Sequence, residues 1–275
     1  MEKIAVVTDT GSNLSFAQAK ELGIYLLPLQ ITIDETTYQD TLEISTQDIY
    51  NELANGKMPK TSMAAYQKIY DLFEELKKDY DTIFAVPLTN GLSTNASTMQ
   101  SIARELEMNV HVIDMYATCA LEKHVAIWIK KLVDEHKSSE EILKIIQPAI
   151  DESNSLILVK NLQHLKRGGR LTPMAATLAG LLKIYPVLHI NKSTEGRIDV
   201  LNKVRTEKRA DAYAIDKVMD DIDIEHTHIY IIHSDFLEGA NHFKKCFIEK
   251  GVPEENIHIN YISSVIAVHT GLGCI

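Results

Sequence analysis

The stretch 81–97, DTIFAVPLTNGLSTNAS, joins a short apolar run, Ile83 to Val86, to a turn dense in hydroxyls and amides. Pro87 breaks the run, and Thr89, Asn90, Gly91, Ser93, Thr94 and Asn95 carry the chain into a helix-forming segment. A buried strand feeding such a helix start aims free backbone N–H and side-chain O–H donors at one spot. At the carboxyl end of a parallel strand, that spot suits an anion.

The same unit recurs around it. KIAVVT (3–8) reads as a buried strand ending in the polar turn DTGSNL, and Ser15 caps a helix over 16–22 that Gly23 ends. IYLLPLQITI (24–33) reads as extended, with Pro28 marking an edge or a bend. Thr46 opens a short helix that stops at Asn55-Gly56, and Ile69, Leu72, Phe73 and Leu76 share one face of the next. After the turn come a helix over about 94–107 and the strand VHVID (110–114). Helices over about 118–135 and 139–151 follow, the second capped by Ser138 or Ser139 with Glu141 available for a capping box. Strands each followed by a polar turn and a helix indicate a parallel sheet covered on both faces.

The second half changes character. SLILVKNL (155–162) reads as a strand, LKRGGRLTP as a tight basic turn, and Thr172-Pro173 as the start of a helix over 173–183. YPVLHIN and RIDVLNKV flank Lys192 to Gly196 as a hairpin. A helix over 206–221, the strand HIYIIHS, a helix over 235–250 and the strand NIHINYI complete the chain before HTGLGCI. The expected class is α/β, with a parallel-sheet α/β domain over 1–152 and an α+β domain with antiparallel strands over 153–275.

Composition narrows the function. The 275 residues are 45% hydrophobic and 24% charged, with a formal charge of −10. That balance excludes nucleic acid as a general partner, because backbone neutralisation needs basic surface. The charge is uneven: between Lys160 and Ala210 eleven Lys and Arg face three acidic residues, so this segment is +8 and the remainder −18. It is either a solvated basic face or a docking surface for an acidic or phosphate-bearing partner. Cys119, Cys246 and Cys274 form no CxxC pair, which fits a reducing cytosol without a disulfide framework or zinc site. MEKIAVVTD carries no signal-peptide pattern, and no window approaches the roughly 18 apolar residues of a membrane span. A cytoplasmic protein without stable membrane insertion is the expectation.

Dinucleotide, P-loop and H-E-x-x-H motifs are absent, and His226 and His228, at strand spacing, read as a surface pair. Three donor groups remain: Thr61-Ser62 before a helix, Ser93-Thr94 at a helix start, and His269-Thr270-Gly271 near the end. Each has a plain structural reading as well. Ser62 and Ser93 can be helix caps, and His269 a loop residue. Together, neutral hydroxyls and an imidazole suit one carboxylate. An enzyme alternative also exists, because Gly91-Leu-Ser93-Thr-Asn95 is one residue short of the G-x-S-x-G nucleophile elbow. In that reading of a serine esterase, Ser93 is the nucleophile, Asp114 or Asp235 follows, and His269 is the base. Asn95 in place of the second glycine argues against it.

VTDTGSNL (7–14), PKTSMAAY (59–66), PLTNGLSTNAS (87–97), VIDMYATC (112–119), LKRGGRLTP (165–173) and HTGLG (269–273) form an ordered set. With them the sequence resembles the DegV family, bacterial fatty-acid-binding proteins, several of which are the lipid-carrying subunit of fatty acid kinase. The resemblance implies two domains gripping one long-chain fatty acid such as palmitate, with no other cofactor and no catalysis by the chain itself. It places the carboxylate at Thr61, Ser62, Ser93 with its neighbour Thr94, and His269 with Thr270, with Arg170 near the same interface. It implies a carrier that presents the lipid to a separate ATP-dependent kinase. A monomer is the expectation, and within the basic segment Arg170, Arg197, Lys203 and Arg205 are expected to steer the docking. The segment MAATLAGLL (174–182) is a candidate tail lining or an ordinary core helix. The chain departs from the family pattern at Met63, Ala64, Ala65, Asn90, Asn95 and Leu272.

Overall fold

The computed structural model describes residues 2–181 and 183–275. Strand β1 (Ile4–Asp9) runs through a 3-10 turn at Thr10–Ser12 into helix α1 (Phe16–Leu22). Ser15 and Gln18 form a reciprocal capping box there, and Gly23, at φ 66°, ends the helix. Pro28 breaks the extended run into β2 (Tyr25–Leu27) and β3 (Gln30–Ile33), which join different sheets. Next come β4 (Thr36–Gln39), α2 (Thr46–Ala54), β5 (Lys60–Ser62) and α3 (Tyr66–Leu76). The first half closes with β6 (Thr82–Val86), α4 (Asn95–Glu105), β7 (Asn109–Val112), α5 (Ala120–Asp134) and α6 (Ser139–Glu152), the last capped by Ser138 with Glu141.

Strands in the order β2-β1-β6-β7 form a parallel sheet. β1 and β6 are buried along their whole length, as a sheet covered on both faces requires. Ile69, Phe73, Met99 and Ile102 of α3 and α4 pack in one apolar cluster with the sheet, and Val125, Ile129, Ile142 and Ile146 of α5 and α6 in another. A small antiparallel sheet, β4-β3-β5, adjoins them. Because β1 and β6 run parallel, both deliver their loops to one edge.

The second half contains β8 (Asn154–Ile157), α7 (Leu162–Arg167), α8 (Pro173–Leu178), β9 (Tyr185–Asn191), β10 (Asp199–Val204) and α9 (Glu207–Asp221). β11 (Ile229–His233), α10 (Leu237–Glu249), β12 (Ile257–Tyr261) and α11 (Ser264–Thr270) complete it. The antiparallel pairing expected here holds for β10-β9-β8, whereas β11 and β12 pair parallel, with α10 as the crossover. The mixed α/β class is as read from the sequence.

Several local expectations change. The basic stretch 165–173 is not a simple turn, since its first residues finish α7, which Asn161 caps by accepting from the His164 N–H. Thr172 and Pro173 do start a helix, but α8 ends at Leu178, and Gly180 at φ 104° turns the chain away. Leu182, part of the expected helix, lies outside the described residues. His226 and His228 lie in the segment before β11 rather than on a strand, and His226 bonds Asp223. The terminal HTG stretch is no loop: α11 buries Val265 and Val268 in the first half's core and Ala267 beside Tyr50 and Ile262.

The turn after β6 and the β9–β10 hairpin meet backbone to backbone. A Cβ on Gly91 would stand 2.1 Å from the carbonyl carbon of Gly196. Gly91→Ala is therefore expected to push turn and hairpin apart at a cost of about 1–3 kcal/mol. A denaturant melt reads this as a lower midpoint at unchanged slope.

Candidate functional site

A cavity of about 370 Å³ opens where that turn, β5, α11 and the start of the basic segment meet. Thr61, Ser62, Ser93, Thr94, Arg170, His269 and Thr270 all line it, with Leu29, Met63, Leu92, Ile198 and Ile266 among the apolar walls. The seven polar residues come from four chain segments up to 209 positions apart, which only the fold brings together. Arg197, Lys203 and Arg205 are exposed and do not line it. Arg197 lies at the rim, next to Ile198, which bridges Leu171, while Lys203 and Arg205 lie toward the far end of β10.

The hydroxyls are not equivalent. Ser62 donates to the Gln30 side-chain carbonyl at 3.0 Å and does not cap α3, whose N-cap is Ala65. Thr94 points its O–H at the Met63 sulfur, 3.5 Å away, and Thr98 does the same at 3.2 Å. The Thr270 hydroxyl turns to the Ile266 and Gly271 carbonyls. Ser93 differs: its oxygen accepts from the Asn95 N–H at 3.2 Å, and its own proton has no acceptor among the described residues. Thr61 pairs with His269 Nε2 at 2.6 Å. In the tautomer with the proton on Nε2, the ring donates to Thr61 and frees the Thr61 O–H to donate into the cavity.

Arg170 spends Nε on the Leu92 carbonyl at 3.3 Å and Nη1 on the Gly168 carbonyl at 2.7 Å, leaving other N–H groups at the cavity wall. Burial, with the Arg170 charge beside it, pushes His269 down to about 3 from 6.5. Its imidazole is thus neutral in the folded chain at neutral pH. The unfolded chain takes up that proton first, so this residue's contribution to stability falls as pH drops from 6.5 toward 3. In the ligand-free protein the His269 ring resonances are expected not to titrate between about pH 5 and 8; a midpoint near 6.5 would contradict the burial argument.

The turn is fixed from beneath by a buried carboxylate that sequence reading did not single out. Asp9, at the end of β1, accepts from the N–H of Gly11 (2.8 Å) and Leu88 (2.9 Å) and from the Asn95 amide (2.7 Å). The Asn95 carbonyl oxygen in turn accepts from the Ala64 N–H at 3.3 Å. Asn95 thus ties the turn to the segment that follows β5, the strand carrying Thr61. Glu122 of α5 is buried beside Asp9, and burial together with the Asp9 charge raises its carboxyl well above the usual range. Burial raises the Asp9 carboxyl as well, offset in part by the hydrogen bonds it accepts. Asp40, also buried, bonds Ser264 at the start of α11, so the helix carrying His269 is anchored to the first half. The only sequence signal for these groups is that Asp9 ends a strand that opens with the apolar run Ile4 to Val7.

Two members of the hydrolase reading make other contacts. Asp114 accepts from the N–H groups of Asn90 and Tyr116, and His269 bonds Thr61 rather than Ser93. The buried Nδ1 of His269 has no partner in hydrogen-bond geometry among the described residues.

A second cavity of about 400 Å³ shares Ile266 and Thr270 with the first. Its walls include Leu156, Leu158, Ile229, Ile231, Phe243, Phe247 and Ile262. No residue of 174–181 lines either cavity; Ala175 and Leu178 sit in a core cluster with Leu165 and Leu188, which is the core-helix reading of that segment. None of the helices of the described residues is long and apolar enough to cross a membrane, and no group of three metal-ligating side chains occurs among them.

A donor-lined chamber thus borders a second cavity with many apolar side chains and with Glu152, Ser155, Asp221 and Thr227 also in its lining, and both halves of the mixed α/β chain wall the pair. The DegV family model matches residues 3–275, and the chain belongs to that family. A DegV domain-containing protein of Caldanaerobacter subterraneus subsp. tengcongensis is 32% identical over 246 residues, covering 88% of this chain and 86% of its own. Among solved structures, a fatty acid binding DegV family protein from Streptococcus agalactiae is similar at a TM-score of 0.90 and 29% identity, covering 100% of this chain and 97% of its own. DegV of Bacillus subtilis, described as a fatty acid binding protein, matches at 0.85 and 27% identity, covering 100% and 97%.

Proposed function

We propose that this chain binds one long-chain fatty acid non-covalently and presents its carboxylate to a separate ATP-dependent kinase subunit. The observation that carries the reading is the shared wall at Ile266 and Thr270, where the donor-lined cavity meets the apolar one. The carboxylate sits against the free O–H of Ser93, the Thr61–His269 pair and Arg170, and the alkyl chain extends past Ile266. Ser62, Thr94 and Thr270, whose hydroxyls already have acceptors, shape the chamber rather than hold the charge. Each donor to the carboxylate contributes about 1.5–3 kcal/mol, which mostly offsets taking the charge out of water. The head group therefore sets orientation. Affinity comes from the tail, at about 0.8 kcal/mol per buried methylene.

The two domains, divided near residue 152, hold the lipid between them in a cytoplasmic, monomeric carrier. Arg197 at the cavity rim, with Lys203 and Arg205 along β10, forms the cationic approach for an acidic kinase surface. Arg197→Glu and Arg205→Glu are each expected to slow association with the kinase at low salt while leaving lipid content unchanged. Association rates by surface plasmon resonance check this, and unchanged rates in both variants would remove the docking role.

The carrier reading predicts no turnover of a p-nitrophenyl ester by the wild type. Ester hydrolysis abolished by Ser93→Ala would favour the hydrolase reading instead. The direct test of the ligand is to denature the purified protein, extract it and identify the released molecules by mass spectrometry. A long-chain fatty acid in roughly equimolar amount is expected; its absence, after reloading with oleate also fails, overturns the proposal.

A further inference from the structure

A groove of about 600 Å³ runs between α5 and the β11–β12 pair; it shares no lining residue with the donor-lined cavity and borders the second cavity at Ala120, Tyr230 and Ile232. α5 presents Lys123, His124, Ile127, Trp128 and Lys131 to it, spaced one turn apart on one face. Tyr230 and Ile232 come from one face of β11, His258 and Asn260 from the matching face of β12.

Two features mark this groove. Its wall is a connected series of rings. His258 stacks on Tyr230 with centroids 5.0 Å apart, and His124 lies 5.9 Å from Tyr230 and 6.4 Å from Trp128. Hydrogen bonds of 2.9 Å between His124 and the Tyr230 hydroxyl and between His228 and His258 lock the rings in place. The second feature is charge. In a chain of net charge −10, the lining holds two lysines and no carboxylate. Lys123 is half-buried, with no opposite charge acting on it, and Lys131 meets Glu135 only at 4.0 Å. Burial lowers the Lys123 ammonium from its ordinary value, a cost that a bound anion would relieve.

We propose that this groove binds a nucleoside phosphate, its base lying on the Trp128–His124–Tyr230–His258 wall and its phosphates reaching Lys123 and Lys131. Ring-lined grooves of this size hold small ligands, and flat heterocycles gain from stacking on aromatic faces. The two lysines are eight residues apart on α5, about 12 Å along its axis, which suits an extended polyanion better than a single carboxylate. An alkyl chain is a poor match for a wall edged by two ammonium groups and by the polar ring atoms of Trp128, His124, Tyr230 and His258. This inference does not rest on the fatty-acid reading.

Trp128 is the chain's single tryptophan, so its fluorescence reports on this groove alone. The test titrates the protein with ADP, ATP, adenosine and tripolyphosphate, with calorimetry run in parallel to remove absorption artefacts. Saturable binding of ADP and ATP is expected, with adenosine and tripolyphosphate each weaker. Lys123→Gln should weaken ADP binding about tenfold, the worth of one charged contact, while retaining its fatty acid. Lys131→Gln, an exposed position, provides the same reading should Lys123→Gln fold poorly. Absence of saturable binding by either nucleotide, tripolyphosphate binding as tightly as ATP, or an unchanged Kd in both lysine variants would overturn the proposal.

Discussion

Replacing Thr61 and Ser93 together by alanine is expected to weaken fatty-acid binding by about a hundredfold, and each single change by about tenfold. The expectation follows from which hydroxyls are free. The Ser93 proton has no acceptor among the described residues, and in the tautomer with the proton on Nε2 the His269 ring donates to Thr61 and leaves the Thr61 proton free. Thr61→Ala also strips His269 Nε2 of its partner, so the change removes one donor and disorients another. Ser62→Ala serves as the contrast, because its hydroxyl is committed to Gln30, and its effect should stay within about twofold. Equilibrium dialysis with a labelled fatty acid measures the four variants against the wild type, and circular dichroism confirms that they are folded. A double variant that binds within about twofold of the wild type would mean that the carboxylate is held elsewhere.

The second large effect concerns stability. Asp40 is buried at the start of α11, and burial pushes its carboxyl up to about 6 from 3.8. A raised carboxyl pKa means the folded chain holds a proton that the unfolded chain has already lost. Asp40 therefore contributes its full stability below about pH 3.8, and that contribution is lost as pH rises through about 6. Two units correspond to about 3 kcal/mol. Asp40→Asn keeps an acceptor for Ser264 but has nothing to ionise. At pH 8 the variant should be more stable than the wild type by up to about 3 kcal/mol, the difference closing below about pH 4. Urea melts at several pH values test this, and a difference that does not vary with pH would contradict it. Because Asp40 anchors the helix that carries His269, the same titration bears on how firmly the chamber is closed.

Much of the architecture was legible because its signals are local. Ser15 with Gln18, Gly23, Ser138 with Glu141, and Thr172 before Pro173 each mark a helix end through a side chain or a φ angle that the residue itself dictates. β1 and β6 announced themselves as unbroken apolar runs. The misses have a common cause: they depend on what packs against the segment. SVIAVHT has seven residues, no helical period and no side-chain cap, so nothing in it distinguishes α11 from a loop. Its helicity is imposed by burial of Val265 and Val268. The parallel pairing of β11 with β12 depends on where α10 crosses, and a strand's own residues do not encode its partner's direction.

The candidate site divides in the same way. Residue types and motif order pointed to the seven polar residues of the chamber, but only coordinates separate the free hydroxyl of Ser93 from the committed ones of Ser62 and Thr94. Two departures from the family pattern prove to be in contact with the site's frame. Met63 receives the Thr94 and Thr98 hydroxyls, and Asn95 bridges Asp9 to Ala64. The glycine that an esterase elbow would need is replaced by a residue with its own bonding task. Asp9, Asp40 and Glu122 were not singled out, because a carboxylate on paper carries no sign of its burial.

The central claim is that the donor-lined chamber and the apolar cavity beside it hold the two ends of one molecule. A crystal structure of the protein loaded with oleate tests this most directly. Density for a carboxylate within hydrogen-bond reach of Ser93, Thr61 and Arg170, with the chain passing Ile266 toward Phe243 and Phe247, is the predicted result. A fatty acid lying outside both cavities, or one whose carboxylate faces solvent away from Ser93, would contradict the account.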